Sequence, residues 1–130
     1  MAIEKYDEMM DDLIDMNREV VMLAHVWKFD KLRRQFYFND TVSGERINVC
    51  YEWEYVPVTE SEDALDALIT YTQRNGCRFR IERNPEPAED TFEWEIEIGG
   101  NSKNYAIESS LMFGFAVSEA ILKAEGIDIY

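Results

Sequence analysis

Two segments in which apolar and polar residues alternate constrain the fold of this chain more than any other feature. Their apolar members are Ile47, Val49, Tyr51, Trp53 and Tyr55 in the first segment and Phe92, Trp94, Ile96 and Ile98 in the second. Because successive side chains of a strand point to opposite faces, a period of two predicts strands with one buried face. Shorter strand-like segments at residues 36–38 and 77–81 precede them, so the sequence predicts two hairpins.

A long apolar stripe precedes the first hairpin. Between residues 3 and 27 apolar side chains recur every three or four positions, and no proline or glycine interrupts them. This pattern predicts one amphipathic helix of about 37 Å, which is longer than a domain of this size needs for its own core. The stripe of Met9, Met16 and Leu23 also keeps a seven-residue repeat. It is therefore compatible with an ordinary core face or with the seam of a homodimer.

Two further helices are indicated by their end signals. Thr59 and Glu62 form a capping-box pattern before an apolar-periodic segment, and Asn75 with Gly76 is typical of a helix end. Ser109 or Ser110 is expected to cap the last helix, which Gly126 ends. A short strand is expected near Tyr105 and Ile107.

The order of elements predicts a single α+β domain over residues 1–130. We expect an antiparallel sheet of four to five strands, built from the two hairpins and packed by three helices. In the second hairpin, Arg78 and Arg80 are expected to pair with glutamates across the strands on a solvated outer face.

The sequence contains no motif of an enzyme, cofactor site or metal site. The single histidine, His25, lies near the predicted end of the long helix, where a favourable contact with the helix dipole is the simplest role. Cys50 and Cys77 lack the CxxC spacing and are expected to be buried, reduced thiols. No phosphate-binding glycine loop is present. We therefore expect a protein without catalytic residues, cofactor or metal.

The charge balance narrows the range of partners. The chain has 27 acidic and 13 basic residues and a net charge of −14, which disfavours direct binding to nucleic acid or to an anionic membrane. No apolar run approaches the roughly 18 residues of a membrane span, and no basic segment precedes one. A cytoplasmic protein with a basic partner is the expectation.

Acidic residues cluster on the first helix and form the candidate partner-binding surface: Glu4, Glu8, Asp11, Asp12 and Asp15. Such a stripe is either a solvated helix face or a surface that mimics nucleic acid. Steps of three to four residues place a carboxylate every ~5–6 Å, whereas duplex DNA carries a charge every ~1.7 Å of axis. Mimicry would therefore need further acids, such as Glu86, Glu89 and Asp90. Residues 11–15 lie beyond the first turn of the predicted helix, so its dipole does not account for them.

From Asn17 onward the chain resembles a family of small bacteriophage and prophage proteins, the phage ABA sandwich domain. The features that carry the resemblance are residues 20–23 before Trp27, the Tyr55-Val56-Pro57 stretch, the strand with Trp94, and the final helix with Glu108 and residues 116–122. The resemblance implies a phage or prophage origin, action in the host cytoplasm and a three-layer α/β/α sandwich as the alternative fold. It transfers no activity and no site residue. The acidic start of the chain lies outside it, and helices on both sheet faces conflict with the alternation.

These observations favour a non-enzymatic phage or prophage accessory protein that binds a host protein with a basic surface, as a counter-defence inhibitor or nucleic-acid mimic. The alternative is a small-molecule or nucleotide-binding module that sequesters its ligand. In that case we expect a pocket between helix and sheet, lined by Tyr51, Trp53 or Trp94.

Overall fold

The α+β class is confirmed by the computed structural model, which describes residues 3–84, 93–101 and 104–127. This part of the chain contains four α-helices, six strands and one 3-10 turn. In chain order they are α1 (Ile3–Asp7), α2 (Asp11–His25), β1 (Lys28–Asp30), β2 (Gln35–Asn39), β3 (Arg46–Tyr51), the 3-10 turn Glu52–Glu54, α3 (Ser61–Arg74), β4 (Arg78–Arg83), β5 (Trp94–Gly99), β6 (Ala106–Ser110) and α4 (Phe113–Ala124).

The prediction of one unbroken helix over residues 3–27 is wrong. The helix is interrupted after Asp7, and Met10 has an extended backbone (φ −59°, ψ 143°) from which α2 begins. The Met10 carbonyl accepts the N–H groups of Leu13 and Ile14 at 3.0 and 3.1 Å. The break brings Tyr6, which has no exposed surface, into a small second core with Ile14, Val56 and Val58. Burial of this ring outweighs the continuity of the helix.

The prediction of a single sheet of four to five strands is not confirmed, and neither is the three-layer sandwich. The described strands form two separate antiparallel sheets, sheet A with the order β1-β2-β3 and sheet B with the order β4-β5-β6. The alternating segment predicted a strand up to Tyr55. In the structure, strand β3 ends at Tyr51, because residues Glu52–Glu54 form a 3-10 turn. The sequence also missed β1, which pairs with β2 from Lys28 to Asp30.

The main core lies between α2, α3, α4 and sheet B. Its fully or almost fully buried members are Val20, Ala24, Ala64, Ala67, Leu68, Tyr71, Ile96, Ile98, Ala106, Ala116, Val117, Ala120, Ile121, Leu122 and Ala124. Met16 and Leu23 pack against this core, and Met9 packs against the second core. The stripe of Met9, Met16 and Leu23 therefore packs within the chain, as expected of an ordinary core face. Sheet A contributes far less, since Phe36 is its single fully buried residue in the described part of the chain.

The helix ends show which capping signals the tertiary structure uses. Gly76 (φ +65°) and Gly126 (φ +80°) follow α3 and α4 as predicted. The predicted capping box is wrong: α3 has Glu60 at its N-cap without a side-chain hydrogen bond. Strand β6 continues through Ser110, so α4 begins later than expected, after Met112.

Candidate functional site

A network of ion pairs ties the start of the chain to sheet A, and we call it the N-terminal clamp: Asp7, Arg18, Arg34 and Glu52. The Glu52 carboxylate is fully buried and receives Arg18 Nε at 2.9 Å, Arg18 Nη2 at 3.1 Å and Arg34 Nε at 2.7 Å. Arg34 Nη2 donates to Asp7 Oδ1 at 2.6 Å. The clamp therefore joins α1, α2, the β1–β2 turn and the 3-10 turn at one point, and both carboxylate oxygens of Glu52 are paired.

The electrostatics of the clamp follow from this geometry. Burial alone would raise the pKa of Glu52, but the hydrogen bonds from Arg18 and Arg34 outweigh burial and hold the pKa below its usual value of 4.5. Burial, and then the neighbouring Glu52 carboxylate, raise the pKa of Tyr6. The Tyr6 hydroxyl is enclosed without a hydrogen bond of regular geometry in the described part of the chain. The clamp is thus charged at neutral pH and organised around one buried carboxylate.

The predicted acidic surface is exposed at all five positions, Glu4, Glu8, Asp11, Asp12 and Asp15. Glu4 lies on α1, Glu8 in the break, and the aspartates on the first turns of α2. Within the described residues, Asp15 has an ion pair, with Arg18 at 3.7 Å, and none joins the other four to a base. We call these five residues the acidic face.

One argument for the acidic face must be corrected. Because α2 begins at Asp11, both Asp11 and Asp12 occupy its first turn, where negative charge favours the helix dipole. These two residues therefore have a structural role that the predicted long helix did not give them. The other candidate acids, Glu86, Glu89 and Asp90, lie outside the described residues.

A second constellation, which the sequence did not reveal, surrounds His25. The Tyr55 hydroxyl donates to Asp66 Oδ2 at 2.6 Å and lies 2.9 Å from His25 Nε2. The hydroxyl oxygen thus faces His25 with a lone pair, so Nε2 is the donor of the ring and Nδ1 is left as an acceptor. The imidazole stacks on Trp27 with ring centres 3.9 Å apart and an angle of 11° between the ring planes.

The charge state of His25 is set by its surroundings. Burial is the largest effect and lowers the pKa of His25 below 6.5; the Asp66 carboxylate opposes this, and the Arg74 guanidinium adds to it. Arg74 is held there because its Nη1 donates to the carbonyls of Leu23 and Ala24 at the end of α2. His25 is therefore neutral at pH 7 and serves as a hydrogen-bonding group, rather than as the charged partner of the helix dipole that the sequence predicted.

A cleft of about 450 Å³ opens beside this constellation, between the end of α2 and sheet A. Its lining consists of His25, Val26, Trp27, Lys28, Phe38, Asn39 and Thr41. Val26 has a left-handed backbone (φ +56°), a conformation that β-branched residues rarely adopt. The sequence showed no sign of the cleft, because its walls come from a helix end and a strand that pair only in the folded chain.

None of the three aromatic residues predicted to line a pocket lines this cleft. Tyr51 and Trp53 stack on each other with ring centres 4.7 Å apart, and neither lines the cleft. Trp94 packs against Phe113 and lines an apolar groove of about 320 Å³ with Leu65 and Ile81. Trp94 therefore lines a groove between helix α3 and sheet B, and the cleft formed by His25, Trp27 and Phe38 is a second pocket between helix and sheet.

The two cysteines are free and half-buried rather than fully buried. Burial raises the pKa of the Cys50 thiol to about 11, and burial also raises the pKa of Cys77. Both thiols are protonated and poorly nucleophilic at neutral pH.

The outer face of sheet B carries the predicted cross-strand pairs. Arg80 contacts Glu82, Glu95 and Glu97, and Arg83 pairs with Glu93 at 2.9 Å. The prediction is confirmed for Arg80. The two arginines offset only part of the charge of these four glutamates.

Among residues 3–84, 93–101 and 104–127 there is no group of three or more His, Cys, Asp or Glu residues placed to hold a metal ion. No helix in that part of the chain has the length and apolar character to cross a membrane.

Comparison with known proteins returned no significant similarity: the chain matches no family model, no curated protein and no solved structure.

Proposed function

We propose that the protein is a non-enzymatic accessory protein of phage or prophage origin that binds a host protein with a basic surface in the host cytoplasm. The phage origin in this proposal comes from the resemblance to the ABA sandwich proteins. The binding role comes from the acidic face, and one observation carries it: five exposed acids lie within residues 4–15, a segment that the N-terminal clamp holds in place.

The clamp gives the acidic face a fixed shape. Helix α1 has five residues, too few to be stable in isolation. Asp7 is bonded through Arg34 to the buried Glu52, and Tyr6 is buried in the second core. Glu4 and Glu8 are thereby presented next to α2 without an ordering cost at the moment of binding. Pre-organisation of this kind favours affinity for a partner of complementary charge.

The composition of the acidic face supports a partner outside the chain. Asp11 and Asp12 favour the dipole of α2 and Glu4 lies in the first turn of the short α1, but Glu8 has no such role, and neither Glu4 nor Glu8 has an ion pair among the described residues. Like charges at helical spacing weaken a helix by a few tenths of a kcal/mol per pair. A basic surface that covers this face would remove the repulsion, and the net charge of −14 would steer such a partner toward it.

The experiment compares two triple variants of equal net charge. The first, Asp11→Asn with Asp12→Asn and Asp15→Asn, removes three charges from the acidic face. The control, Glu45→Gln with Glu60→Gln and Glu62→Gln, removes three charges elsewhere. A host protein captured by the native protein is titrated against both variants by surface plasmon resonance at low and high salt.

We expect the acidic-face variant to bind about tenfold more weakly, since three partly exposed ion pairs contribute about 0.5 kcal/mol each. Its affinity should also depend less on salt. The control should bind like the native protein. Equal loss in both variants would mean that net charge alone matters, and no loss in the first would show that the acidic face is only solvated.

A further inference from the structure

We propose that the cleft beside His25 binds a planar heteroaromatic molecule with one anionic group, of about the size of a nucleoside monophosphate. The cleft is independent of the acidic face, so this inference does not depend on the function proposed above. At about 450 Å³ it falls within the range of small-molecule sites.

The cleft is positively charged, whereas the protein as a whole is strongly negative. Although the chain has 27 acidic residues, no acid of its described part lines the cleft, and Lys28 is the single charged residue among the described lining residues. Lys28 Nζ donates to Asn39 Oδ1 at 3.1 Å, which positions the ammonium group and leaves two of its three donors for a ligand. In a strongly acidic protein, a cleft of this kind favours a ligand with one anionic group.

The walls of the cleft favour a flat ligand. Trp27 and Phe38 supply aromatic surface, and the exposed fraction of Phe38 is 37%. A heteroaromatic ring packs against such surfaces by stacking or edge contacts between rings. Asn39 and Thr41 add hydrogen-bonding groups at the rim. The lining is thus predominantly apolar with a few polar groups that fix orientation.

The hydrogen bonds around His25 define a further requirement for the ligand, which is a hydrogen-bond donor. Because the Tyr55 hydroxyl donates its proton in a hydrogen bond to Asp66, His25 donates to the hydroxyl oxygen through Nε2 and keeps Nδ1 as an acceptor. A ligand that carries an N–H or O–H donor beside its aromatic ring, as nucleobases do, complements this acceptor.

The backbone next to the ring is strained, which is a separate sign of a functional site. Val26 has φ +56° and an exposed fraction of 60%. This conformation costs a β-branched residue free energy, and such strain clusters at ligand-binding sites. Here it ends α2 as a left-handed cap, and the next residue, Trp27, stacks on His25 and lines the cleft.

The test uses isothermal titration of the full chain with AMP, GMP, CMP, UMP and orotate, and with adenosine and inorganic phosphate as the separate halves of a nucleotide. The variant Lys28→Gln removes the charge of the cleft. The matched control Lys31→Gln removes the charge of an exposed lysine that does not line it. Thermal denaturation of both variants checks that they remain folded.

We expect saturable binding of at least one of the five planar anions, with adenosine and phosphate binding more weakly than AMP if AMP is bound. Lys28→Gln should weaken binding about tenfold and Lys31→Gln should leave it unchanged. Absence of saturable binding for all five compounds at millimolar concentration would overturn the proposal. Equal binding by the native protein and a folded Lys28→Gln variant would overturn it as well.

Discussion

Arg18 and Glu52, separated by 34 residues, form a two-pronged ion pair in which Arg18 Nε lies 2.9 Å from Oε1 and Nη2 lies 3.1 Å from Oε2. Phe29 packs on the guanidinium, whose carbon is 4.7 Å from the ring centre. The glutamate is fully buried, whereas 26% of the arginine side chain is exposed. The pair fixes α2 against the 3-10 turn, and Arg34 extends it to α1.

Replacement of Glu52 by glutamine should destabilise the fold by about 2–4 kcal/mol. The change removes the carboxylate that lies between the two guanidinium groups and leaves them only their exposed partners, Asp15 and Asp7, and loss of one partner of a buried ion pair is strongly destabilising. Urea denaturation followed by circular dichroism measures the effect. The control Asp7→Asn removes an exposed partner of the same clamp and should cost clearly less. Similar losses in both variants would show that Glu52 is not the centre of the clamp.

Stability should fall in two steps as the pH decreases. The pKa of His25 lies below 6.5 in the folded state, so the unfolded chain binds this proton first and stability declines as the pH falls below about 6.5. The pKa of Glu52 also lies below its usual 4.5. Its contribution is complete above about 4.5 and is lost as the pH falls through the folded-state value. Free energies of unfolding between pH 7.5 and 3 show whether the steps occur.

Two single variants show which residues are responsible for each step in the pH dependence of stability. His25→Gln should flatten the upper step and keep the lower one. Glu52→Gln should keep the upper step and reduce the lower one, to which Asp7, Asp30 and Asp40 also contribute because their pKa values are lowered as well. A profile that both variants leave unchanged would assign the acid sensitivity to other groups.

Replacement of Val26 by glycine should stabilise the fold by roughly 0.5–1 kcal/mol. Glycine adopts φ +56° without the steric penalty that valine has there. This gain is partly offset because the unfolded glycine variant is more flexible and loses more conformational entropy on folding. Thermal denaturation checks this prediction. Val42, whose exposed fraction is 93% and whose φ is not positive, is the control, and Val42→Gly should be neutral or destabilising. Destabilisation by Val26→Gly would mean that the side chain contributes more by packing than the strain costs.

Replacement of Gly114 by alanine should destabilise the fold by about 2–3 kcal/mol. A Cβ at this position would lie 2.8 Å from the carbonyl carbon and oxygen of Val58 and closer still to the Pro57 carbonyl oxygen, and backbone atoms do not move aside easily. Chemical denaturation gives the value. A stability equal to that of the native protein would contradict the close approach of α4 to residues 57–58.

Ser118 on the same helix provides a contrasting change. Its hydroxyl is buried and has no hydrogen-bond partner in the described part of the chain. Ser118→Ala should therefore leave the stability unchanged or raise it by up to about 1 kcal/mol.

Sequence alone determined the elements whose signals are local. The alternation in β4 and β5, the periodicity of α3 and α4, and the glycines that end both helices depend on neighbouring residues, and the structure confirms them. The exposure of the five acids was also predicted from sequence, because surface carboxylates need no tertiary partner to be recognised, although the single helix stripe predicted for them is interrupted after Asp7.

Tertiary structure alone decided where the local patterns stop. The N-terminal helix breaks because Tyr6 gains more by burial in the second core than the helix gains by continuing, and the first alternating strand ends because Glu52 must reach two arginines. The cleft depends on contacts between residues that are far apart in the chain: His25 with Tyr55, and Lys28 with Asn39. Periodicity reports which face of an element is apolar, whereas a buried carboxylate or a strained turn is set by the partners that the folded chain brings together.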